Sequence, residues 1–430
     1  MQLVCITAGS GRMECDACLR DTGLARAFIA RGHDVLFVPT YTPLLTAEAR
    51  RLASPILFYG GINVYLRHRF PLFRKLPRFL TALLDNPRLL GLAARLGDMT
   101  DAKSLADLTV SVLEGEDGPQ SEELRRMLDW IETQSRPDAI ILPNSLFAGL
   151  AAPLRQRFGA PVFCLVSGED SFIELFPEPY RTTTREALRR RAADVAGFFA
   201  PNHYYADFMQ RYLDLPRERI HLVPAGIDCA PFQAERPAPP EVFTIGYRSA
   251  ISPGNGLHIL LEAFRILKRK PQTAQCRLRC SGHVSAGDKR YFREILAKVR
   301  AWGLEKDFEY VGELEPEERP PFLWSLSVMS VPCVYPEPTG MFVPEALAAG
   351  VPVVMPRVGC LPEWIETTGG GILVNPSDPQ ALAEAMARLM ADPGEAQEMG
   401  RRGRRVVLGE FTQDRAAIAM LEVLEKHCSQ

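Results

Sequence analysis

No stretch of the chain reaches the roughly 18 consecutive apolar residues that a membrane-spanning helix needs, so a transmembrane protein is not expected. Cysteine is sparse. Ten in 430 residues are too few for a disulfide scaffold, and reduced thiols in a cytoplasmic protein are the simpler expectation. Excess charge of either sign is missing too: the formal net charge of −2 gives no reason to expect a nucleic-acid partner. The opening residues Met-Gln-Leu-Val-Cys-Ile-Thr-Ala-Gly carry no basic region and run straight into a strand pattern, so a cleaved leader is not expected. No metal-ligand cluster stands out. What remains is 47% hydrophobic and 24% charged residues over a length suited to two domains.

Along the first half, apolar runs alternate with helical periodicity. Leu3 to Thr7 reads as a strand, Ala8-Gly-Ser-Gly11 as a glycine loop, Cys18 to Arg31 as an amphipathic helix and Asp34 to Pro39 as the next strand, a βαβ unit with glycines at its first turn. Asp101 to Pro119 reads as a polar surface helix and loop, Glu122 to Gln134 as a helix with Leu124, Leu128 and Ile131 inward. Strands are expected at Pro137–Pro143 and Pro161–Val166, with a helix over Ala148–Phe158 between them. Glu235-Arg-Pro-Ala-Pro-Pro-Glu241 reads as a linker, which puts a first domain at 1–236 and a second at 237–410. In the second, strands are expected at Phe243–Tyr247, Arg277–Ser281 and Phe308–Gly312, and helices at Leu257–Lys268, Asp288–Trp302 and Pro316–Ser327.

The densest signal is Val331-Pro-Cys-Val-Tyr-Pro-Glu337-Pro-Thr-Gly340-Met-Phe-Val-Pro-Glu345-Ala-Leu-Ala-Ala-Gly350-Val-Pro-Val-Val. It reads as strand to Val334, loop to Gly340, helix over Met341–Ala349, a stop at Gly350 and a strand from Val351. Two carboxylates, Glu337 and Glu345, stand eight residues apart across the loop–helix junction. A helix start offers unpaired N–H groups to a phosphate, and Gly340 permits close approach to the backbone. Phosphate between hydroxyl-holding carboxylates describes a nucleotide sugar.

This pattern, Glu-x7-Glu followed by Ala-Leu-Ala-Ala-Gly-Val-Pro-Val-Val, resembles the donor-site signature of the retaining group 1, family 4-like glycosyltransferases, the broad group that includes glycogen and sucrose-phosphate synthases. The resemblance implies an α/β fold of GT-B architecture: two doubly wound Rossmann-like domains facing a cleft, with a final helix, 411–430, crossing back onto the first. It implies transfer of a hexose from a nucleotide sugar to an acceptor hydroxyl with retention, by a front-face route without metal or other cofactor. Glu337 then lies by the donor sugar, Glu345 holds the ribose, and Thr339 with the Gly340–Met341–Phe342 backbone faces the diphosphate. Gly9, Ser10 and Gly11 fall at the acceptor side of the cleft. Phe58 to Leu66 resembles the Gly-Gly-x-Asn-x-Tyr stretch of the same group, and Arg357 to Glu363 resembles a loop that reaches toward the donor.

The chain departs from the pattern at three places. Ser167 stands where many members have His. Ala250 and Asn255, aligned on Gly256, stand where an Arg and a Lys neutralise the diphosphate. Arg248, two residues early, either supplies one guanidinium or is a solvated loop residue. Glu169 and Asp170 either orient acceptor hydroxyls or act as general base, or cap the helix expected near Ser171. These departures keep a second function open, a degenerate glycosyltransferase that binds sugar, nucleotide or a partner with little turnover. A nucleotide-sugar epimerase is the third. Cys15 and Cys18 share a helix face as packed, redox-active or metal-binding thiols. Arg67 to Gly97 carries Arg67, Arg69, Arg74, Lys75, Arg78, Arg88 and Arg95 against Asp85, with Phe73, Leu76, Leu80, Leu83 and Leu84 at helical spacing. It reads either as a peripheral membrane contact at the cytoplasmic face or as an insertion framing the acceptor site. The acceptor is a glycan, a lipid-linked sugar or a small molecule.

Overall fold

The computed structural model describes residues 1–8, 16–41, 102–234 and 237–428. Gly9, Ser10 and Gly11, Cys15, the Phe58–Leu66 stretch and the basic Arg67–Gly97 segment lie outside the described residues. The chain folds as two compact units: Met1–Pro201, Ala206–Val223 and Ala417–Gln430 form one, Asn202–Tyr205 and Pro224–Ala416 the other.

Among the described residues each unit is built on a six-stranded parallel sheet, and together these are the two Rossmann-like α/β domains expected from the repeated strand–helix pattern. In the first unit, strands β1 (Gln2–Thr7), β2 (Asp34–Pro39), β3 (Ala139–Leu142), β4 (Val162–Leu165), β5 (Gly197–Ala200) and β6 (Ile220–Leu222) are ordered β2-β1-β3-β4-β5-β6. In the second, β7 (Thr244–Arg248), β8 (Arg277–Ser281), β9 (Phe308–Tyr310), β10 (Val328–Met329), β11 (Val353–Pro356) and β12 (Gly371–Val374) are ordered β12-β11-β10-β7-β8-β9. The strands read as continuous apolar runs because helices cover both faces of a parallel sheet; β3, β4, β5 and β11 are buried at every residue.

The order decides where chemistry can sit. In the first sheet the chain reverses direction between β1 and β3, in the second between β7 and β10. At such a reversal the loops leaving two adjacent strands part in opposite directions and open a crevice beyond their C-terminal ends. Thr7 and Leu142 end the strands at the first reversal; Arg248 and Met329 end those at the second.

Three local expectations are corrected. The strand expected at Val331–Val334 lies earlier, at Val328–Met329. Val331 and Cys333 are fully buried, but Pro332 has no N–H to give a ladder and the Cys333 N–H turns back to Val331 O at 2.9 Å. The helix Ala102–Glu114 is not a surface element: Ala106, Val112 and Leu113 are buried, and Arg191 donates to Leu113 O at 2.9 Å and Glu114 O at 2.7 Å, closing its C-terminal end. The helix after β4 begins at Glu169 rather than near Ser171 and is only five residues long. The helices Tyr180–Ala192 and His203–Leu213 carry no expectation above.

Candidate active site

The second reversal assembles residues that are far apart in sequence. From β10 the chain enters the loop Ser330–Gly340 and the helix Phe342–Ala348; from β7 it enters the loop 249–256 and the helix Leu257–Lys268. Gly256 joins them. Its φ is +74°, and a Cβ there would lie 1.9 Å from Pro332 O. Only glycine lets the two loops touch at this point.

Glu337 is buried, and its carboxylate is turned back into its own loop. Oε1 accepts N–H bonds from Gly340 at 3.0 Å and Thr339 at 3.3 Å, with the Thr339 hydroxyl at 3.4 Å. Oε2 lies 2.6 Å from the Tyr335 hydroxyl, which also faces Asn255 Oδ1 at 3.1 Å. Burial and the neighbouring Glu337 charge push the Tyr335 phenol well above its ordinary value, so it stays a proton donor. Asn255 is buried, and its Nδ2 donates to Ala250 O at 2.8 Å. The position where the resembled family has a diphosphate Lys therefore braces the loop.

Gly340 has φ +60°, and a Cβ would stand 3.1–3.2 Å from Leu361, Cys360 and Trp364. The Thr339 carbonyl on one side of it accepts the Trp364 indole N–H at 2.8 Å, and the Cys360 N–H bonds Glu337 O at 2.8 Å. Asn202 adds a clamp within the same unit: its Nδ2 donates to Pro338 O at 2.7 Å while its Oδ1 accepts the Tyr205 N–H at 2.7 Å. Glu363, expected to reach toward a donor, accepts the His203 N–H at 3.0 Å and the Tyr204 N–H at 3.1 Å. At the far end of the helix, the Arg404 guanidinium donates to Ala348 O at 2.5 Å. Met341 is half-buried and Phe342 buried.

Glu345 does not stand alone. Its Oε2 pairs closely with Arg248 Nη2 at the end of β7, and its Oε1 accepts from Arg319 Nη1 at 3.2 Å. The sequence had singled out Arg248 and Glu345 separately; the sheet order brings them together. Arg319 was missed. It opens a six-residue helix, Arg319–Trp324, 26 positions before its partner, and no local spacing marks it.

At the first reversal Glu169 is buried and its carboxylate accepts N–H bonds from Ser167 at 3.0 Å, Gly168 at 3.1 Å and Ser145 at 3.4 Å. Burial raises its pKa, against the pull of those N–H groups. Ser167 and Asp170 are half-buried beside it. Two further residues here escaped the sequence reading, Arg20 and Asp21. Thr7 Oγ1 donates to Asp21 Oδ2 at 3.0 Å, and Arg20 Nη2 bridges Asp21 Oδ1 at 2.8 Å and Pro143 O at 2.7 Å. Burial pushes the Asp21 carboxyl up, and Arg20 opposes it. The legible clue was Asp21 on the apolar stripe of Leu24, Ala25 and Phe28, where a lone acid needs a partner. Cys18, by contrast, is buried in the core. Among the described residues no helix is long and apolar enough to cross a membrane.

Comparison with known proteins bears on the family and the fold. The family described as "Glycosyl transferases group 1" matches residues 231–406, and the "Glycosyl transferase 4-like domain" matches 22–226. A D-inositol 3-phosphate glycosyltransferase of Corynebacterium efficiens is 27% identical over 231 residues, 50% of this chain and 53% of that protein. An MMP alpha-(1->4)-mannosyltransferase of Mycolicibacterium hassiacum is 29% identical over 212 residues, 49% of each. The chain thus spans about half the length of these curated relatives. Among solved structures, Anabaena HepE in complex with UDP and glucose has a TM-score of 0.70 at 16% identity, covering 98% of this chain and 99% of that one. Sucrose-phosphate synthase of Thermosynechococcus elongatus has 0.69 at 18%, covering 100% and 99%. These two share the fold. With both domain families matched in order along nearly its whole length, the chain belongs to the group 1 glycosyltransferases.

Proposed function

We propose that the protein transfers a hexose from a nucleotide sugar to an acceptor hydroxyl, with retention at the anomeric carbon. The observation that supports this most is the convergence of Glu337, Gly340, Arg248 and Glu345 on the β7/β10 reversal, where doubly wound sheets bind nucleotides. In this reading the Gly340–Met341–Phe342 backbone faces the diphosphate, with Thr339, Asn255 and Gly256 shaping the approach. Glu345 holds the ribose and Glu337 lies against the departing sugar. The C1–O bond to the diphosphate breaks, the acceptor oxygen bonds C1 on the same face, and the acceptor proton passes to the leaving phosphate oxygen. The transfer uses no metal. Ser167 and Asp170 serve the acceptor, with buried Glu169 fixing the loop that carries them.

A second reading, a protein that binds nucleotide without efficient turnover, draws on the same Glu337. Its carboxylate is occupied by Tyr335, Thr339 and Gly340. A screen of UDP- and GDP-sugars separates the two. Slow release of nucleoside diphosphate that Glu337→Ala abolishes supports transfer, and an α-linked product from an α-linked donor supports retention. Tight nucleotide binding with no release from any donor, whatever acceptor is supplied, refutes transfer and leaves the second reading.

A further inference from the structure

Gly340 gives the Thr339–Gly340 peptide a freedom that the rest of the turn lacks. Its φ is +60°, and glycine takes positive and negative φ about equally, so the backbone offers this peptide two orientations, one the reverse of the other. The next peptide has no such choice: the Gly340 carbonyl accepts the Val343 N–H at 2.8 Å as the helix Phe342–Ala348 starts. Something other than sterics has to select the orientation of the Thr339–Gly340 peptide. A trans peptide carries its C=O and N–H on opposite sides. Both ends are held here: Thr339 O accepts the Trp364 indole N–H at 2.8 Å, and the Gly340 N–H donates to Glu337 Oε1 at 3.0 Å. Turned over, the peptide would set a carbonyl oxygen toward the Glu337 carboxylate and take its N–H donor away.

Trp364 is itself held firmly enough to make that selection. It is buried, and its ring meets Phe411 with centroids 4.6 Å apart and planes tilted by 49°. Its helix, Leu361–Thr368, is tied to the same loop at its start, where the Cys360 N–H donates to Glu337 O at 2.8 Å. Phe411 is fixed by a second passage of the chain: the Ile227 N–H donates to Phe411 O at 3.0 Å and the Gln413 N–H to Ile227 O at 3.1 Å. The indole thus refers the turn to backbone well outside it. An indole nitrogen is a donor only, so the group it can hold is an oxygen, here the Thr339 carbonyl. We propose that Trp364 is a positioning residue for the donor site: it sets the Thr339–Gly340 peptide so that the Gly340 N–H and the Glu337 carboxylate face each other. This rests on the nucleotide-sugar reading above and deepens it. Trp364 acts through Gly340 and Glu337, not on the sugar.

The test is Trp364→Phe in the full chain, which keeps a buried aromatic ring and removes the N–H. In site-resolved hydrogen exchange the Gly340 amide is expected to exchange about fivefold faster relative to the β11 amides, which report opening of the whole unit. Nucleoside diphosphate release from UDP-glucose and GDP-mannose is expected to lose about tenfold in kcat while the donor KM stays within about threefold, because the nucleotide end is held at Glu345 and not at Gly340. Parent-like exchange at Gly340 overturns the proposal. So does equal acceleration at Gly340 and in β11, which is general loosening, and so does a KM that rises with kcat unchanged. Should Trp364→Phe fail to fold, Phe411→Leu keeps the indole N–H and removes the ring it is set against; its Gly340 amide is expected to exchange about twofold faster relative to β11, and parent-like exchange there overturns the proposal equally. If the parent protein turns over no donor, the transfer reading falls, while exchange at Gly340 still decides the role of Trp364.

Discussion

Tyr335→Phe removes one oxygen from the centre of the candidate site and leaves the ring that packs beside Gly254. The hydroxyl has a single proton and two acceptors, Glu337 Oε2 at 2.6 Å and Asn255 Oδ1 at 3.1 Å. The shorter contact goes to a carboxylate, so the proton belongs there. Without it, Oε2 of a buried carboxylate loses its donor while Oε1 keeps Gly340 and Thr339. A hydrogen bond to a charged group is worth about 1.5–3 kcal/mol net. For a unit of this size each kcal/mol moves the melting midpoint by about 2–4 °C, so the variant's second unit is expected to melt roughly 3–12 °C lower. The carboxylate is also freed to rotate away from the Gly340 turn, and a misplacement of about 1 Å at a reacting centre can cost 10²-fold in rate. Differential scanning calorimetry and nucleoside diphosphate release measured on one preparation test both consequences. A midpoint within 1 °C of the parent together with an unchanged release rate would refute the claim that Tyr335 holds Glu337.

Three other outcomes are expected. Asn202→Ala breaks two 2.7 Å bonds, to Pro338 O and from Tyr205 N–H, and should cost about 1–3 kcal/mol in urea unfolding, with faster amide exchange at Thr339 and Gly340; parent-like exchange there would mean the clamp does not hold the loop. Gly256→Ala forces a Cβ to within 1.9 Å of Pro332 O at φ +74°, and should destabilise the second unit by at least about 3 kcal/mol; soluble, parent-like protein would show that the two loops are not in contact. His221 packs against Gly197 in the first unit, and its pKa is lowered by burial and then by His427. A folded-state pKa below the unfolded value of about 6.5 means the unfolded chain binds the proton first, so stability is full above about pH 6.5 and falls as the pH drops below it. Melting midpoints between pH 7.5 and 5 should therefore decline less steeply in His221→Gln; equal slopes would remove His221 as a source.

Much of the fold was legible because parallel sheets buried on both faces leave unbroken apolar runs, and the helices between them keep a 3.6-residue period. The helix Leu257–Lys268 and the strands Asp34–Pro39 and Arg277–Ser281 stand where the pattern puts them. The pattern misleads where apolarity and ladder geometry part company. Val331 to Val334 is as apolar as a strand, but Pro332 removes the donor that pairing requires, and the strand ends before it. Ala102 to Glu114 is polar enough to suggest a surface, yet one face packs inside and Arg191 satisfies the carbonyls at its end.

For the site, the linear chain determined the Glu337–Gly340–Glu345 unit, since its turn glycine, acids and helix are neighbours whose spacing survives any tertiary arrangement. It could not show what those acids do in the folded protein. That Tyr335 meets Asn255 and that Arg248 joins Arg319 on Glu345 are consequences of β10 lying beside β7 rather than beside β9. Local sequence encodes which residues can make a turn or a helix. The partner of a charged side chain from across the sheet is selected by strand order, which depends on the burial of the whole domain.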